Sequence, residues 1–459
     1  MPNFELIRDL VKLRQGFLPF LVQAWKEKGD LFSMSFGSRK MVFAVHPDDV
    51  KYITAGIPTI YNKEHTYDVP RKYLLGNGLV TSNGELWKRQ RRLMAPFFTP
   101  TNIQSFIGIM IHETQTLAER WTTLATKSES VEILDEMMLV AAHIILKTMF
   151  SSEKDVALEV GASIDYLLDA MTKRSTLPFR IPDVIPTPGN RKYIREKQRV
   201  RNYIDTLIQE RRQLPEAQWP DDMLARLMKA EENEQHMSEA QIVDECITIF
   251  TAGHETTART MTFTWYALSR NPAVEAKLHH EIDTVLGDQP LTMELMKQMP
   301  YALQVIKETL RLYPAAPIYT RDAVVDDQIG SLKISKGTAV MLSPFMTHRH
   351  PDFWDDPETF DPDRWLPEAE KARHPFAYHP FAAGQRVCIG NNFSLLESHI
   401  MLTMLARHFA PRLSPADHVA QLEIGGTLHS KNGMPMVIVP RKTAQIPDAQ
   451  IKATPLPVA

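Results

Sequence analysis

Apolar residues recur every three or four positions over most of the stretch from about residue 85 to 310, which predicts a run of amphipathic helices. Residues 31–45 instead alternate between apolar and polar side chains around a central Gly-Ser pair, so they predict a β-hairpin. Residues 314–341 predict further short strands, whereas the proline- and aspartate-rich residues 351–367 cannot form a regular helix. The pattern therefore predicts a mainly α-helical protein with small β-sheets.

The end of the chain predicts one more helix and one more hairpin. The helix follows Gly390, and residues 426–439 predict a closing hairpin with an Asn-Gly pair at its turn. Residues 185–190 predict a loop between two helices, and residues 443–459 are expected to form an irregular tail. Because no repeat, low-complexity tract or change in composition marks a linker, we expect one domain over residues 1–459.

The longest predicted helix runs from about residue 238 to 271. Ser238 and Gln241 form a capping-box pattern at its start, and an Asn-Pro pair ends it. Its roughly 32 residues would span about 48 Å, which is enough to cross the whole protein. Gly253 near its centre costs about 1 kcal/mol relative to alanine, so a purely structural helix would not favour it. Three polar residues follow this glycine in an otherwise apolar helix: Glu255, Thr256 and Thr257.

Composition and charge exclude several classes of protein. A hydrophobic fraction of 44% with 23% charged residues is that of a globular chain, not a disordered or collagen-like one. The net charge of −3 gives no basic excess for binding nucleic acid. Cys246 and Cys388 are the only cysteines, which excludes a disulfide scaffold and a four-cysteine zinc site. The apolar runs at residues 16–22 and 137–146 are shorter than a membrane span, so we expect a soluble cytoplasmic protein.

Cys388 lies in the segment FAAGQRVCIG, residues 381–390. A lone cysteine is usually a small buried core residue, but Gly384 and Gly390 here let the backbone turn tightly beside a flat ligand. The helix that begins after Gly390 directs N–H groups and a positive dipole end at the sulfur, which favours a thiolate that binds metal. A Cys–His hydrolase is the alternative, and it needs none of this spacing. Its candidate bases are His374, His379 and His399.

The spacing Phe-x-x-Gly-x-Arg-x-Cys-x-Gly resembles the haem-binding loop of the cytochrome P450 family. The resemblance implies a haem b cofactor between this loop and the long helix, with Cys388 as the ligand of the haem iron. It further implies that Phe381 packs against the sulfur and that Arg386 meets a haem propionate. One residue departs from the family pattern, because Ala382 stands where Gly, Ser, Asn or His is more frequent.

Two further motifs match the family on the side of the haem that carries the cysteine. Trp87 and Arg91, four residues apart on one helix, are implied to reach the haem propionates, and Arg321 matches another propionate contact. A Glu-x-x-Arg pair and a downstream arginine match the family's structural cluster, which fixes the proline-rich segment against a helix. That cluster consists of Glu308, Arg311 and Arg364.

The centre of the long helix, AGHETT, is similar to the family's dioxygen-activating element. The similarity implies a dioxygen groove at Ala252 and Gly253 and proton delivery through Glu255 and Thr256. By the same resemblance, an apolar pocket of medium to large size lies above the haem. Its implied lining consists of Val80, Ala252, Ala316, Ile318 and Leu428.

The resemblance therefore implies a haem-thiolate monooxygenase, similar to soluble bacterial members of the fatty-acid-hydroxylase type. Such an enzyme uses dioxygen to hydroxylate or epoxidise an apolar molecule such as a fatty acid, terpenoid or steroid. Two alternatives stay open. A peroxide-dependent peroxygenase usually lacks the acid–alcohol pair that Glu255 and Thr256 supply, and a non-enzymatic haem sensor needs no polar patch in the long helix.

Electrons are expected to come from a separate protein, because the chain has no Gly-x-Gly-x-x-Gly element for a flavin or nicotinamide. Lys88, Arg89 and Arg92 form a basic patch suited to an acidic ferredoxin or flavodoxin, which would work with its own reductase. The alternative is an ordinary solvated helix face. The other expected partners are dioxygen and the apolar substrate, with no nucleic acid and no membrane span.

Overall fold

The computed structural model describes residues 16–36, 39–56, 60–152, 157–176, 182–232 and 235–441. Within these ranges the protein is mainly helical. Its longer helices are α1 (Phe17–Lys28), α2 (Gly84–Met94), α3 (Ile107–Lys127), α4 (Ile133–Phe150), α5 (Ala157–Thr176), α6 (Pro188–Gln213), α7 (Glu239–Arg270), α8 (Pro272–Val285), α9 (Pro300–Leu312) and α10 (Asn391–His408). Its short α-helical segments are Pro47–Lys51, Asp68–Pro70, Pro100–Gln104, Met223–Lys229, Met293–Lys297, Pro344–Thr347 and Pro367–Ala372.

The strands are short and form several small sheets. They are β1 (Leu31–Phe36), β2 (Arg39–Ala44), β3 (Tyr61–Asn62), β4 (Ser130–Glu132), β5 (Glu231–Glu232), β6 (Gln235–His236), β7 (Tyr319–Ala323), β8 (Asp327–Ile329), β9 (Leu332–Ile334), β10 (Ala339–Leu342), β11 (Arg412–Leu413), β12 (Leu422–Ile424), β13 (Leu428–Ser430) and β14 (Pro435–Val437). The largest sheet has the order β1-β2-β10-β7-β3. In this sheet β2 and β10 run parallel, and the other neighbouring strands run antiparallel.

The first predicted hairpin is confirmed, and the last one is wrong. Strands β1 and β2 pair antiparallel with Leu31 opposite Ala44, although the Gly-Ser pair between them lies outside the described residues. At the end of the chain β13 pairs with β12, whereas β14 pairs with β11 and β4. Gly433 does turn the chain, with φ 73°, but the turn directs β14 into a different sheet.

Helix α7 confirms the predicted long helix. Ser238 caps it, and both hydrogen bonds of the capping box with Gln241 are present. Most of its side chains are buried, because the helix passes through the core of the protein. Gly253 allows α4 to approach closely, since a Cβ atom there would lie 2.4 Å from Ile145 Cδ1. This contact fixes the centre of α7 against its neighbour.

The remaining expectations along the chain are met in part. Helix α6 begins at Pro188 with Thr187 as its N-cap, so the end of the predicted 185–190 loop is already helical. Residues 351–367 contain one 3₁₀ turn, Pro362–Trp365, and otherwise no helix until Pro367–Ala372 begins. Residues 443–459 lie outside the described part of the chain. Among the helices that the structure describes, none is long and apolar enough to cross a membrane.

Candidate active site

A cavity of about 290 Å³ lies between α7 and the loop that carries Cys388, near the lower end of the range for cofactor and small-molecule sites, roughly 300–1,000 Å³. Its wall combines the cysteine loop, α2, the centre of α7 and the segment before β7. From the predicted set, the cavity is lined by Val80, Trp87, Arg91, Ala252, Gly253, Thr256, Ala316, Phe381, Arg386, Cys388 and Gly390. The structure thus brings the separate sequence motifs to one site.

The thiol of Cys388 faces this cavity, which is why it has accessible surface although it lies inside the protein. Its backbone N–H donates to the carbonyl of Phe381 at 2.9 Å. Burial raises the pKa of the Cys388 thiol, while the N–H of Gly390 and the charges of Arg91 and Lys63 lower it. The predicted effect of the helix end is therefore present, but burial outweighs it. The thiol has the position and the surrounding donors of a metal ligand.

The backbone of the cysteine loop explains two residues of its pattern. Gly384 has φ 69°, and a Cβ atom there would lie 1.8 Å from the carbonyl oxygen of Thr54, so no other residue fits. Ala382, the departure from the family pattern, also adopts a left-handed conformation, with φ 58°. This conformation costs an alanine roughly 1–2 kcal/mol, a cost that glycine would not carry.

Four cations cluster at one side of the cavity: Lys63, Arg91 and Arg386 line it, and Arg321 lies near Lys63 and Arg386 without lining it. Arg386 stacks on the Trp87 ring at 3.8 Å and donates to the carbonyl of Ser82 at 3.0 Å and to Asn83 Oδ1 at 2.9 Å. Arg91 donates to the carbonyl of Val387 at 2.8 Å. Burial and neighbouring positive charges lower the pKa of Arg386 to about 9.

Lys63 is a member of this cluster that the sequence patterns did not single out. Its ammonium group is buried and donates to the carbonyl of Val80 at 2.9 Å. Burial, Arg321 and Arg386 hold its pKa well below the usual value. Within the described ranges, none of the four cations forms an ion pair with a carboxylate. A flat ligand that carries two acidic groups would therefore fit between these cations and the Cys388 thiol. Haem, with its two propionates, is such a ligand.

The polar residues of α7 face different sides of the helix. Thr256 lines the cavity, and its hydroxyl donates to the carbonyl of Ala252 at 2.7 Å. Glu255 does not line the cavity and is buried behind it. Its carboxylate accepts from Thr427 Oγ1 at 2.7 Å and pairs with Arg259 at 3.2 Å. The structure thus places the alcohol, but not the acid, at the cavity wall.

Asp165 on α5 extends the polar group behind the cavity. Burial and the negative charge of Glu255 raise the pKa of Asp165 to about 7, while Arg259 opposes this shift. The imidazole of His254 lies 3.8 Å from the Asp165 carboxylate, and burial lowers the pKa of His254 to about 4. Asp165 is partly exposed, so a second acid lies near Glu255 and reaches the protein surface.

Glu397 on α10 is a buried acid that sequence patterns missed, because a single glutamate in an amphipathic helix gives no signal. Burial raises the pKa of Glu397 to about 8, and the neighbouring Thr257 hydroxyl lowers it. No described protein group forms a well-aligned hydrogen bond to either carboxyl oxygen. Thr257 and Ser394, whose hydroxyls lie 3.2 Å apart, both line the cavity. Glu397 therefore lies directly behind the part of the cavity wall that Thr257 and Ser394 form.

This acid should make the stability of the protein depend on pH. A carboxyl whose pKa is raised from about 4.3 to about 8 on folding favours the folded state most below pH 4.3, and this contribution falls between pH 4.3 and 8. Glu397→Gln should therefore match the wild type near pH 4 and become progressively more stable than the wild type as the pH rises to 8. Urea unfolding at the two pH values checks this, and a pH-independent difference would contradict it.

The predicted structural cluster is present. Glu308 and Arg311 on α9 are completely buried and form a forked pair, with distances of 2.8 Å from Nη2 to Oε1 and from Nε to Oε2. Arg364 approaches Glu308 at 3.6 Å, and Trp365 Nε1 donates to it at 3.0 Å. Arg311 also donates to carbonyl groups of the proline-rich segment, including that of Thr359 at 2.9 Å. The cluster thus ties residues 351–367 to α9.

Two residues of the predicted pocket, Ile318 and Leu428, do not line this cavity. Ile318 packs against the main core, and Leu428 is completely buried with its N–H donating to the carbonyl of Ala315 at 3.0 Å. The cavity wall is instead completed by other apolar side chains, including Leu79, Ile145, Met149, Ile249 and Tyr319. Leu428 lies on β13, which pairs with β12, and its backbone partner Ala315 does line the cavity.

The bases required by a Cys–His hydrolase are not at the cavity. His374 contacts Asp48 at 3.2 Å, and His379 Nδ1 lies 3.2 Å from the hydroxyl of Tyr319. His399 is buried in α10 with its pKa lowered to about 4. Since none of these three lines the cavity that Cys388 faces, the structure gives the cysteine no histidine partner among the candidate bases.

Comparison with known proteins agrees with this geometry. The cytochrome P450 family model matches residues 2–437. Cyclooctat-9-en-7-ol 5-monooxygenase of Streptomyces melanosporofaciens is 31% identical over 90% of this chain and 89% of its own. Pentalenene oxygenase of Streptomyces avermitilis is 29% identical over 88% of this chain and 89% of its own. The crystal structure of the cytochrome P450DA heme domain superposes with a TM-score of 0.84, at 25% identity, over 94% of this chain and 95% of that one.

The chain therefore belongs to the cytochrome P450 family. Its mainly helical architecture with small sheets is that of the family, and it is a cytochrome P450 monooxygenase.

Proposed function

We propose that the cavity holds haem b and that Cys388 would bind its iron. The observation that carries this is the placement of a cavity-facing thiol beside a buried cluster of cations that lacks carboxylate partners. Arg91, Arg321, Arg386 and Lys63 would hold the two propionates, and Trp87 would support Arg386. Haem, when bound, would supply the dioxygen-activating chemistry, to which the Cys388 thiolate would contribute electron density.

The test of this proposal combines a spectrum with turnover. The purified protein should show the red-shifted carbon monoxide band of a thiolate-bound haem after reduction. With a surrogate reductase it should form an oxygenated product in proportion to the NAD(P)H consumed. Turnover with hydrogen peroxide alone would support a peroxygenase instead, and a spectrum without any turnover would support a haem-binding sensor.

Within this function, the Thr256 hydroxyl is the proton donor at the cavity wall. Its hydroxyl lies at the cavity surface and is oriented by its bond to the carbonyl of Ala252. The Glu255 carboxylate contacts Arg259 and does not line the cavity. It would therefore supply protons to Thr256 from behind the cavity wall, and Asp165 at the surface would supply them to Glu255. The acid would have to leave that ion pair, or use water molecules, to reach Thr256.

Replacing the hydroxyl should uncouple the reaction. Thr256→Ala should bind haem and substrate within about twofold of the wild type, because the change removes no wall contact of substantial size. Product formed per NAD(P)H should fall by about tenfold or more, since a positioned proton donor contributes roughly 10²–10⁴ in rate. The lost equivalents should appear as hydrogen peroxide, which a peroxidase assay measures.

Thr262→Ala is the matched control for this change. Its hydroxyl donates to the carbonyl four residues earlier, Ala258 at 2.8 Å, just as that of Thr256 does, but it does not line the cavity. The control should stay fully coupled. Normal coupling in Thr256→Ala, or equal uncoupling in both variants, would contradict the assignment.

The substrate is proposed to be a largely hydrocarbon molecule, with terpenoids favoured among the expected classes. Apolar side chains such as Leu79, Val80, Met149 and Ile249 dominate the wall away from the cations. Two relatives carry names that state oxidation of cyclooctat-9-en-7-ol and of pentalenene. Binding spectra with cyclic terpenes, fatty acids and steroids would test this choice, because a ligand near the haem changes its absorption.

Electrons are proposed to come from an acidic ferredoxin- or flavodoxin-type partner that docks near α2. This helix carries Trp87 and Arg91 toward the cavity and has Lys88 on its exposed side. Lys88 pairs with Glu85 at 2.7 Å, which offsets part of the positive charge at this surface. Arg89 and Arg92 belong to the same patch in sequence.

Reversing two of these charges should slow electron transfer. Lys88→Glu combined with Arg92→Glu should reduce the rate of reduction by the partner about tenfold at low salt, because steered association depends on complementary charge. The difference should shrink as salt rises, since the screening length is only about 8 Å at physiological ionic strength. Stopped-flow absorption measures both rates. Dithionite should still reduce the variant normally, and a wild-type rate with the partner at all salt concentrations would place docking elsewhere.

A further inference from the structure

Glu245 on α7 is a completely buried carboxyl that the proposed chemistry does not use. It lies seven residues, about two turns, before Ala252 and does not line the cavity itself. Its Oε2 accepts a hydrogen bond from the backbone N–H of Leu79 at 2.9 Å, and no described group bonds to its Oε1. Burying an acid with only one such partner is costly, so its presence calls for a role.

The segment that Glu245 holds, residues 75–80, is seated tightly on α7. A Cβ atom at Gly76 would lie 2.1 Å from the Asp244 carboxyl carbon, and one at Gly78 would lie 2.0 Å from Thr248 Oγ1. Asp244 Oδ2 accepts from the N–H of Asn77 at 2.9 Å. Two successive turns of α7 therefore contact this segment through polar side chains, and glycine is needed where they touch.

The end of this segment forms part of the cavity wall. Leu79 and Val80 both line the cavity, and the carbonyl of Val80 accepts from Lys63 at 2.9 Å. Asn77, by contrast, does not line it. Glu245 therefore bonds to a residue that lines the cavity, whereas Asp244 bonds to one that does not.

We propose that Glu245 is a positioning residue that determines substrate selectivity by fixing Leu79 and Val80 at the cavity wall. The proposal rests on the proposed function only in taking this cavity as the substrate site. Glu245 acts here as a hydrogen-bond acceptor for Leu79, and burial raises the pKa of its carboxyl to about 8. Glutamine, a neutral residue of the same shape, should therefore replace it with little effect.

Asp244 provides a matched comparison on the same helix. It makes the same kind of bond to the same segment, but to Asn77, and it is also 3.6 Å from Arg201. Replacing either acid by leucine removes one acceptor from the segment. If the two acids served only to hold residues 75–80 in general, both changes would loosen the segment and alter ligand selectivity. A specific role of Glu245 predicts instead that only Glu245→Leu alters ligand selectivity.

The first readout is amide hydrogen exchange, which needs no ligand. In Glu245→Leu the Leu79 amide should exchange at least tenfold faster than in the wild type, and in Glu245→Gln it should stay within about twofold. In Asp244→Leu the faster exchange should be confined to Asn77. Unchanged exchange at Leu79 in Glu245→Leu would overturn the proposal.

The second readout is the ratio of dissociation constants for imidazole and for the bulky azole clotrimazole, measured by absorption on the haem-loaded protein. Glu245→Leu should change this ratio about fivefold or more, while Glu245→Gln and Asp244→Leu should leave it within twofold. If Glu245→Leu fails to fold, Gly78→Ala replaces it in this measurement. Its methyl group would meet Thr248, so it should displace the same segment and change the ratio of dissociation constants.

Equal changes of the ratio in the two leucine variants would overturn the proposal, as would faster exchange at Leu79 with an unaltered ratio. A wild type that gives no azole spectrum would count against the haem site instead. In that case the exchange measurement still decides whether Glu245 holds Leu79 in place.

Discussion

Cys388→Ser should abolish the red-shifted carbon monoxide band of the reduced protein and lower monooxygenase turnover by at least about 100-fold. Serine has nearly the shape of cysteine, so the loop should keep its fold, but a hydroxyl is a poor anionic ligand for haem iron. The thiolate's promotion of O–O cleavage would be lost, and a 100-fold change corresponds to about 2.7 kcal/mol in the barrier. Absorption spectra and product analysis measure the two effects.

Cys246→Ala is the control, because Cys246 is the other cysteine and lies buried in α7. It should keep the normal band and at most lose some stability through the missing sulfur. A normal band in Cys388→Ser would show that another residue binds the iron. Loss of the band in both variants would point to a general defect in folding.

Glu308→Ala should destabilise the protein by about 3–5 kcal/mol, the cost of leaving a buried partner charge uncompensated. Arg311 would lose both bonds of its forked pair, and the donors of Trp365 and Asp361 would lose their acceptor. The proline-rich segment would then detach from α9 more readily. Thermal and urea unfolding of the haem-loaded protein should show the loss, followed by release of haem at lower temperature.

Glu370→Ala is the control, because it shows how much an exposed ion pair contributes to the free energy of unfolding. Glu370 pairs with Lys307 at 2.7 Å at the surface, and its removal should cost less than about 1 kcal/mol. Similar losses in the two variants would mean that the buried pair at Glu308 contributes no more than an exposed one. That outcome would contradict the structural role assigned to the cluster.

Local patterns predicted those parts of the protein that local interactions determine. The capping box of Ser238 and Gln241 fixed the start of α7 correctly, because both hydrogen bonds lie within one turn. The grouping of the cysteine loop with α2 and α7 came from the family resemblance and agrees with the cavity wall.

Long-range pairing could not be predicted in this way. An Asn-Gly pair indicates a turn but not which strand the chain pairs with afterwards, and β14 pairs with β4, about 300 residues earlier. Lys63, Glu245 and Glu397 were missed for the same reason, since each gains its environment only from distant segments. Glu255 shows the converse: its sequence neighbourhood is that of a proton donor, but packing turns it toward Arg259.

The contacts that complete the cysteine loop also bear on the order of folding. Gly384 lies against Thr54, Arg91 bonds Val387 and Arg386 bonds Ser82, so each contact joins residues roughly 300 positions apart. Contacts with such sequence separation close large loops and form late. Until they form, the Cys388 sulfur is open to solvent and to oxidants. Expression with ample haem supply should therefore raise the yield of intact thiol, because binding of the cofactor stabilises the state in which the sulfur is enclosed.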